Sequence, residues 1–388
     1  MKPLASKLPA TGTTIFSVMS QLAQARDAIN LSQGFPDFEP PEALTDRVTH
    51  YLKSGRNQYA PMTGVPELRR AIAGKIARTS GVEVDAEAAV TVTSGATEAL
   101  FCAIHTVVHP GDEVIVFDPA YDSYAPAVRL AGGNTVHLAL AAPDYRIDWD
   151  ALSAALSPRT RLVIINTPHN PTGSILTRAD LDRLAAALDA GAPDCYVLSD
   201  EVYEHIIFDG ETHASVLAHP QLAPRSFAVF SFGKTCHATG WKVGYCVAPP
   251  EFTAEVRKIH QYNTFATAAP MQWALADFVR DEPGQYLGLP AFYQRKRDLF
   301  AGLLADSQFR PLPCAGTYFQ LADYSALLPE CGDLDDLAFA KWLTTEKGIA
   351  AIPLSPFHQT PPGNRIIRFC FAKRDETLER AGEILCGI

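Results

Sequence analysis

The sequence lacks a long hydrophobic run, a CxxC pair and a cluster of positive charge, and each absence removes a class of function. Its longest stretch free of Asp, Glu, Lys and Arg runs from Ile259 to Ala276, but His260, Gln261, Asn263, Pro270 and Gln272 make it a poor membrane span. The opening segment MKPLASKLPATGTTIF has no continuous apolar core, so no secretory signal is expected. Lys and Arg number 33 against 43 Asp and Glu, a net charge of −10 that disfavours a general nucleic-acid binder. Eight cysteines (Cys102, Cys195, Cys236, Cys246, Cys314, Cys331, Cys370 and Cys386) are dispersed, several of them in apolar runs. Reduced, buried thiols and a cytoplasmic protein are expected. His105 and His109 have the i, i+4 spacing of paired metal ligands on a helix. The glutamate of HExxH is missing, so they read as helix-surface histidines and no metal is expected. There is no repeat, no low-complexity segment and no GxGxxG. Gly233-Lys234-Thr235 is not a nucleotide phosphate loop either. Ala228 stands where that loop needs glycine, and Val229–Phe232 read as strand.

What is present is a globular chain of 388 residues, 47% apolar and 20% charged, long enough for two or three folding units and a large core. Short β-branched runs alternate with helical patterns from about Ala88. Ala89–Thr93, Glu113–Phe117, Arg161–Asn166, Cys195–Ser199, Phe227–Phe232 and Val243–Ala248 read as strands, and Glu98–Val108 as a helix. The runs are almost continuously apolar, as in strands covered on both faces. Thr177-Arg-Ala-Asp180 before LDRLAAALDA reads as a capping box. The pattern is a doubly wound, mostly parallel α/β sheet. Both ends of the chain are richer in Pro and turn signals, and Arg365–Phe371 reads as a closing strand. They are expected to form a smaller α+β unit, with residues 1–50 as an arm and part of that unit, 51–281 as the large unit and 282–388 as its C-terminal part.

Ligands of open α/β sheets bind beyond the carboxyl ends of the strands. At those ends stand Ser94-Gly95-Ala96-Thr97, a small-residue turn opening a helix; Thr167–Gly173, a rigid polar loop; Asp200, Glu201 and Tyr203; and Gly233-Lys234-Thr235. An anion seat, an amide, a carboxylate, a phenol and a lysine thus share one rim. A lysine among apolar neighbours, desolvated, becomes a nucleophilic amine.

The run SFGKTCHATGWKVGY (Ser231–Tyr245) resembles the pyridoxal-phosphate lysine motif of class I/II aminotransferases, fold type I. Asn170-Pro-Thr-Gly173, Asp200-Glu-Val-Tyr203 and Arg368-Phe-Cys-Phe-Ala-Lys373 match the same family in the same order. INLSQGFPDF (Ile29–Phe38), NQYAPMTG (Asn57–Gly64) and FDPAYDSYAP (Phe117–Pro126) resemble the kynurenine/glutamine transaminase branch, and within it the bacterial methionine aminotransferases. The resemblance implies a ping-pong transaminase that moves the amino group of an L-amino acid (methionine, aromatic amino acids, glutamine or kynurenine) to a 2-oxo acid. A cysteine-S-conjugate β-lyase and a non-catalytic ligand-binding protein remain as alternatives on the same scaffold.

The resemblance also implies the residue roles. Lys234 would carry pyridoxal phosphate as an imine and, once freed, shuttle a proton at the substrate. Asp200 would face the ring nitrogen, and Tyr203 and Asn170 the phenolic oxygen of the cofactor. Ser231, Lys242, Ala96 and Thr97 would hold the phosphate. Many relatives carry Arg at the position of Lys242, so a point charge here replaces a two-pronged donor. Tyr121 would stack on the ring, and Tyr59 would reach the phosphate of a neighbouring subunit, implying a homodimer. Arg368 would grip the substrate carboxylate; Arg365, three residues earlier in a strand, would point the other way. Gly34 would leave room beside that carboxylate, and Phe16 and Phe265 would wall the side-chain pocket.

Overall fold

The computed structural model describes residues 3–9 and 11–388. Among these described residues there are thirteen strands: β1 (Ile29–Asn30), β2 (Val90–Thr93), β3 (Glu113–Asp118), β4 (Asn134–Ala139), β5 (Thr160–Asn166), β6 (Tyr196–Asp200), β7 (Ser226–Ser231), β8 (Gly244–Val247), β9 (Arg310–Pro311), β10 (Phe319–Asp323), β11 (Ile349–Ala350), β12 (Ile352–Pro353) and β13 (Ile366–Cys370). Seven form the central sheet in the order β2-β8-β7-β6-β5-β3-β4. All its pairings are parallel except those of β8, which runs antiparallel to both β2 and β7. Alternation of strand and helix forces such a sheet, because parallel neighbours need a crossover.

The edge strand β2 and its neighbour β8 are buried end to end, and β3, β5, β6 and β7 are buried but for one or two partly buried residues each. Apolar side chains fill both faces, with Val163, Ile165, Val197 and Phe230 on one and Leu162, Ile164, Leu198 and Phe227 on the other. The one central-sheet strand that pattern reading missed, β4, lies at the sheet edge with its six residues only partly buried or exposed; β1, β9, β10, β11 and β12, outside that sheet, were missed as well. Its polar alternation, Asn134-Thr-Val-His-Leu-Ala139, hides it among loops. The helix Arg178–Gly191 starts with the expected capping box between Thr177 and Asp180.

A second, antiparallel sheet in the order β12-β13-β10-β9 is built from residues beyond 310, and β1 pairs in parallel with β11. Early and late segments of the chain therefore meet. The expected division at 50 falls inside the helix Glu42–Lys53, and that at 281 on the last residue of the helix Ala269–Asp281; these two helices pack together. No described helix is long and apolar enough to cross a membrane. His105 stacks on Phe101 within the helix Ala96–Val107, whereas His109 lies beyond its end, so the two are not neighbours on one helix face. All eight cysteines are free; six are buried, Cys331 is partly buried and Cys386 exposed.

Candidate active site

The antiparallel turn of β8 explains how the site is assembled. Parallel strands β5, β6 and β7 bring Asn166, Asp200 and Ser231 to the same rim, with Asn166 opposite Asp200. Because β8 runs the other way, its first residue, Gly244, sits at that rim opposite both Ser231 and Thr93. Lys242, two residues earlier, is thereby delivered beside the start of the helix Ala96–Val107. The approach is close: a Cβ on Gly244 would lie 2.6 Å from the Ala96 backbone nitrogen and 2.7 Å from the Phe230 carbonyl oxygen.

A cavity of about 220 Å³ opens over this rim. Ala96, Thr97, Tyr121, Asn170, Asp200, Tyr203, Ser231, Lys234 and Lys242 all line it. At one end the first-turn N–H groups of the helix at Ala96 and Thr97 have no acceptor within the helix. Lys242 Nζ donates to Thr97 Oγ1 at 3.4 Å. A helix N-terminus and an ammonium together favour an anion with several oxygens. Glu98, in the same turn, is turned away. It accepts from the Ser94 N–H and binds His260 Nδ1 at 2.7 Å, which leaves the seat itself without a carboxylate.

In the middle stand Asp200 and Lys234. Asp200 Oδ2 accepts from the Tyr124 hydroxyl at 2.7 Å, and Oδ1 receives only the Val202 N–H at 3.4 Å. Burial pushes this carboxyl up to about 6, against the pull of Tyr124 and Val202. Lys234 Nζ donates to the Tyr318 hydroxyl at 2.9 Å and to the Gly34 carbonyl at 3.3 Å. Burial brings the amine down to about 8; Arg368 and Lys242 act in the same direction, and Cys370 and Asp200 oppose them. Tyr203 is buried, which raises its phenol and keeps it a donor at neutral pH. Burial pushes the Tyr121 phenol up to about 12.

At the far end Arg368 is fully buried on β13. Its Nη1 donates to Asn170 Oδ1 at 2.8 Å and its Nη2 to the Ser32 carbonyl at 3.0 Å, while its Nε has no partner. Burial lowers it to about 10, so it remains a cation at neutral pH. That bond occupies Oδ1 and leaves the NH2 group of Asn170 as the amide's donor. Arg365 points away and pairs with Asp333, as the strand offset required. The guanidinium lies 3.8 Å over the Phe319 ring and 5.3 Å from that of Phe16. Phe16 is therefore an apolar neighbour of the arginine. Gly34 is close to Lys234, but its missing side chain leaves room for Phe319, whose Cζ would be 2.8 Å from a Cβ there.

Five expected residues do not line the cavity: Arg368 and Gly34 stand behind it, bonded to Asn170 and Lys234, Phe16 lies by Arg368, and the other two are on the surface. Tyr59 is 87% exposed and Phe265 is 43% exposed; their rings meet edge to face at 5.4 Å on the surface. Three residues were not assigned from sequence: Asn166, whose amide donates to the Asp200 carbonyl, Tyr124 and Tyr318. Tyr124 lies in the quoted FDPAYDSYAP run, so a signal existed. Tyr318, between Thr317 and Phe319 just before a strand, lies in none of the quoted motifs and had none.

The cavity's contents match the needs of pyridoxal phosphate: an anion seat, an amine of lowered basicity, a buried carboxyl with a weakly occupied oxygen and a flat aromatic wall at Tyr121. Comparison with known proteins points the same way. A family model described as aminotransferase class I and II matches residues 26–385. Methionine aminotransferase of Escherichia coli is 56% identical over 98% of this chain and 97% of its own length. The kynurenine–oxoglutarate transaminase of Dictyostelium discoideum is 34% identical over 96% and 94%. Among solved structures, the E. coli protein identified as having a methionine aminotransferase function superposes with a TM-score of 0.96, at 55% identity and complete coverage of both chains. An aspartate aminotransferase of Thermus thermophilus gives 0.89 at 28% identity, again over both whole chains. This chain belongs to the class I and II aminotransferases.

Proposed function

We propose that this aminotransferase uses pyridoxal 5′-phosphate, held by the residues above, to move the amino group of methionine, of aromatic L-amino acids and of glutamine to a 2-oxo acid. The observation that carries the reading is the convergence of Lys234 and the buried Asp200 in one cavity, with the buried Arg368 bonded to Asn170 of its lining. When bound, the cofactor supplies an aldehyde that condenses with amines and a ring that accepts the electron pair released at the substrate Cα.

The protein's residues do the rest. Ala96, Thr97, Ser231 and Lys242 bind the phosphate and fix the ring, and Tyr121 stacks on it. Asp200 holds a proton on the ring nitrogen, because an ionised carboxylate beside a cationic N–H is the pairing that compensates its burial. Tyr203 and the Asn170 amide donate to the phenolic oxygen. Lys234, with a basicity near neutrality, takes the proton from Cα and returns it elsewhere, as a general base requires. Arg368 orients the substrate through its carboxylate, its free Nε supplying one of the donors. Phe16 and Phe319 beside the guanidinium offer an apolar wall to the side chain. The donor preference for methionine follows the E. coli relative, with aromatic amino acids and glutamine as companions. Tyr59 and Phe265 acquire their roles in a homodimer, where Tyr59 reaches the partner's phosphate. Free thiols throughout suit a cytoplasmic enzyme.

The test is Lys234→Ala. The variant is expected to fold, to retain no borohydride-fixable cofactor and to lose at least about a thousandfold in turnover. Near-normal turnover overturns the reading. A scan of amino donors, followed by cofactor absorbance, is expected to rank methionine above aspartate and glutamate; the reverse order overturns the substrate assignment.

A further inference from the structure

Resting on that reading, we propose that Tyr318 is a positioning residue, whose hydroxyl holds the free amine of Lys234 against the Gly34 carbonyl and so ties it to the segment that contacts Arg368. The geometry is a closed triangle. The Tyr318 hydroxyl donates to the Gly34 carbonyl at 2.5 Å, and Lys234 Nζ donates to the same carbonyl at 3.3 Å and to the hydroxyl at 2.9 Å. The shortest of these bonds takes the phenolic proton. A lone pair of that oxygen is therefore left to face the amine.

Tyr318 is fully buried and cannot swing aside. Tyr203 and Phe319 pack against it edge to face at 5.2 and 4.9 Å, and Tyr293 in a tilted arrangement at 5.7 Å. The hydroxyl is thus a fixed point, while the lysine is a chain of four methylenes that has to leave and return in each half-reaction. Between those events its amine needs one resting place within reach of the substrate, and a pre-set acceptor reduces the number of positions it visits. The same peptide segment continues to Ser32, whose carbonyl accepts from Arg368 Nη2. Filling the arginine with a carboxylate and emptying the lysine's resting place are therefore events on one three-residue stretch of backbone.

An acceptor facing the amine stabilises its ammonium form more than its neutral form. The other charged or titratable groups around Lys234 are Cys370, Arg368, Asp200 and Lys242; the buried phenol of Tyr203 lies alongside, is hydrogen-bonded to the Tyr318 hydroxyl and loses that partner when the hydroxyl is removed.

Tyr318→Phe removes one oxygen and leaves the packing. In the cofactor-free variant, pH-dependent acylation of Lys234 followed by mass spectrometry is expected to report an amine pKa lower by about one unit, a tenfold change in the protonation balance. In the loaded enzyme, kcat is expected to fall at least about tenfold, with the KM for the amino donor within about twofold. 3-Fluorotyrosine at position 318, a weaker acceptor in a native-like core, is expected to give an intermediate amine pKa, and it serves if the phenylalanine variant does not fold. An unchanged amine pKa, or a loss of rate that only follows a loss of thermal stability, overturns the proposal. These outcomes are separate from failure of the function itself, which would show as turnover surviving in Lys234→Ala.

Discussion

At the scale of single residues, the site keeps groups in states that the fold by itself does not favour. Asp200 binds its proton in the folded protein with a pKa of about 6, against 3.8 for an ordinary aspartate. Its ionisation therefore weakens the cofactor-free fold. The penalty is absent below about pH 4, grows between the two values and is complete above about pH 6. Asp200→Asn is expected to stabilise the cofactor-free protein at pH 7.5 by up to about 3 kcal/mol, to bring no gain at pH 4 and to abolish transamination. Denaturant melts at the two pH values check this; equal gains at both would mean that the carboxyl is not the strained group. What could be read in advance at this scale divides cleanly. Lys234, Asp200, Tyr203 and Arg368 sit in motifs whose order along the chain is their signature. Tyr318 and Asn166 touch the same groups, but one stands just before a strand outside any motif and the other is the last residue of a strand, so only three-dimensional contact singles them out.

At the scale of elements, the decisive piece is one reversed strand. Hydrophobic runs show where β8 lies but not its direction, because a buried strand reads alike both ways. Its reversal puts Lys242 and the start of the helix Ala96–Val107 in contact through Gly244. Gly244→Ala is expected to destabilise the protein by about 1–3 kcal/mol and to weaken phosphate binding, since the added methyl must displace backbone atoms. Thermal melts with and without cofactor test both effects; a variant with normal cofactor affinity would show that the helix start is not pinned there. The edge strand β4 was illegible for the opposite reason, being half-solvated and therefore polar in composition.

At the scale of the whole molecule, a single chain leaves Tyr59 and Tyr262 each 87% exposed, with Phe265 beside them. Such an aromatic surface suits a permanent partner. The protein is expected to sediment at twice 42.1 kDa. Tyr59→Phe is expected to leave that mass unchanged while lowering cofactor affinity about tenfold or more, through loss of a hydrogen bond to a charged oxygen. A monomer in the analytical ultracentrifuge, or unaltered affinity in the variant, would remove Tyr59 from the phosphate's company.

The sheet order also bears on how the chain is made. During translation β2 emerges before any other strand of the central sheet, yet its only neighbour there is β8, the last of the seven to be synthesised. Until residues 244–247 are made the growing polypeptide thus carries an unsatisfied ladder of amides, a natural client for chaperones and a place where overproduced protein would begin to clump.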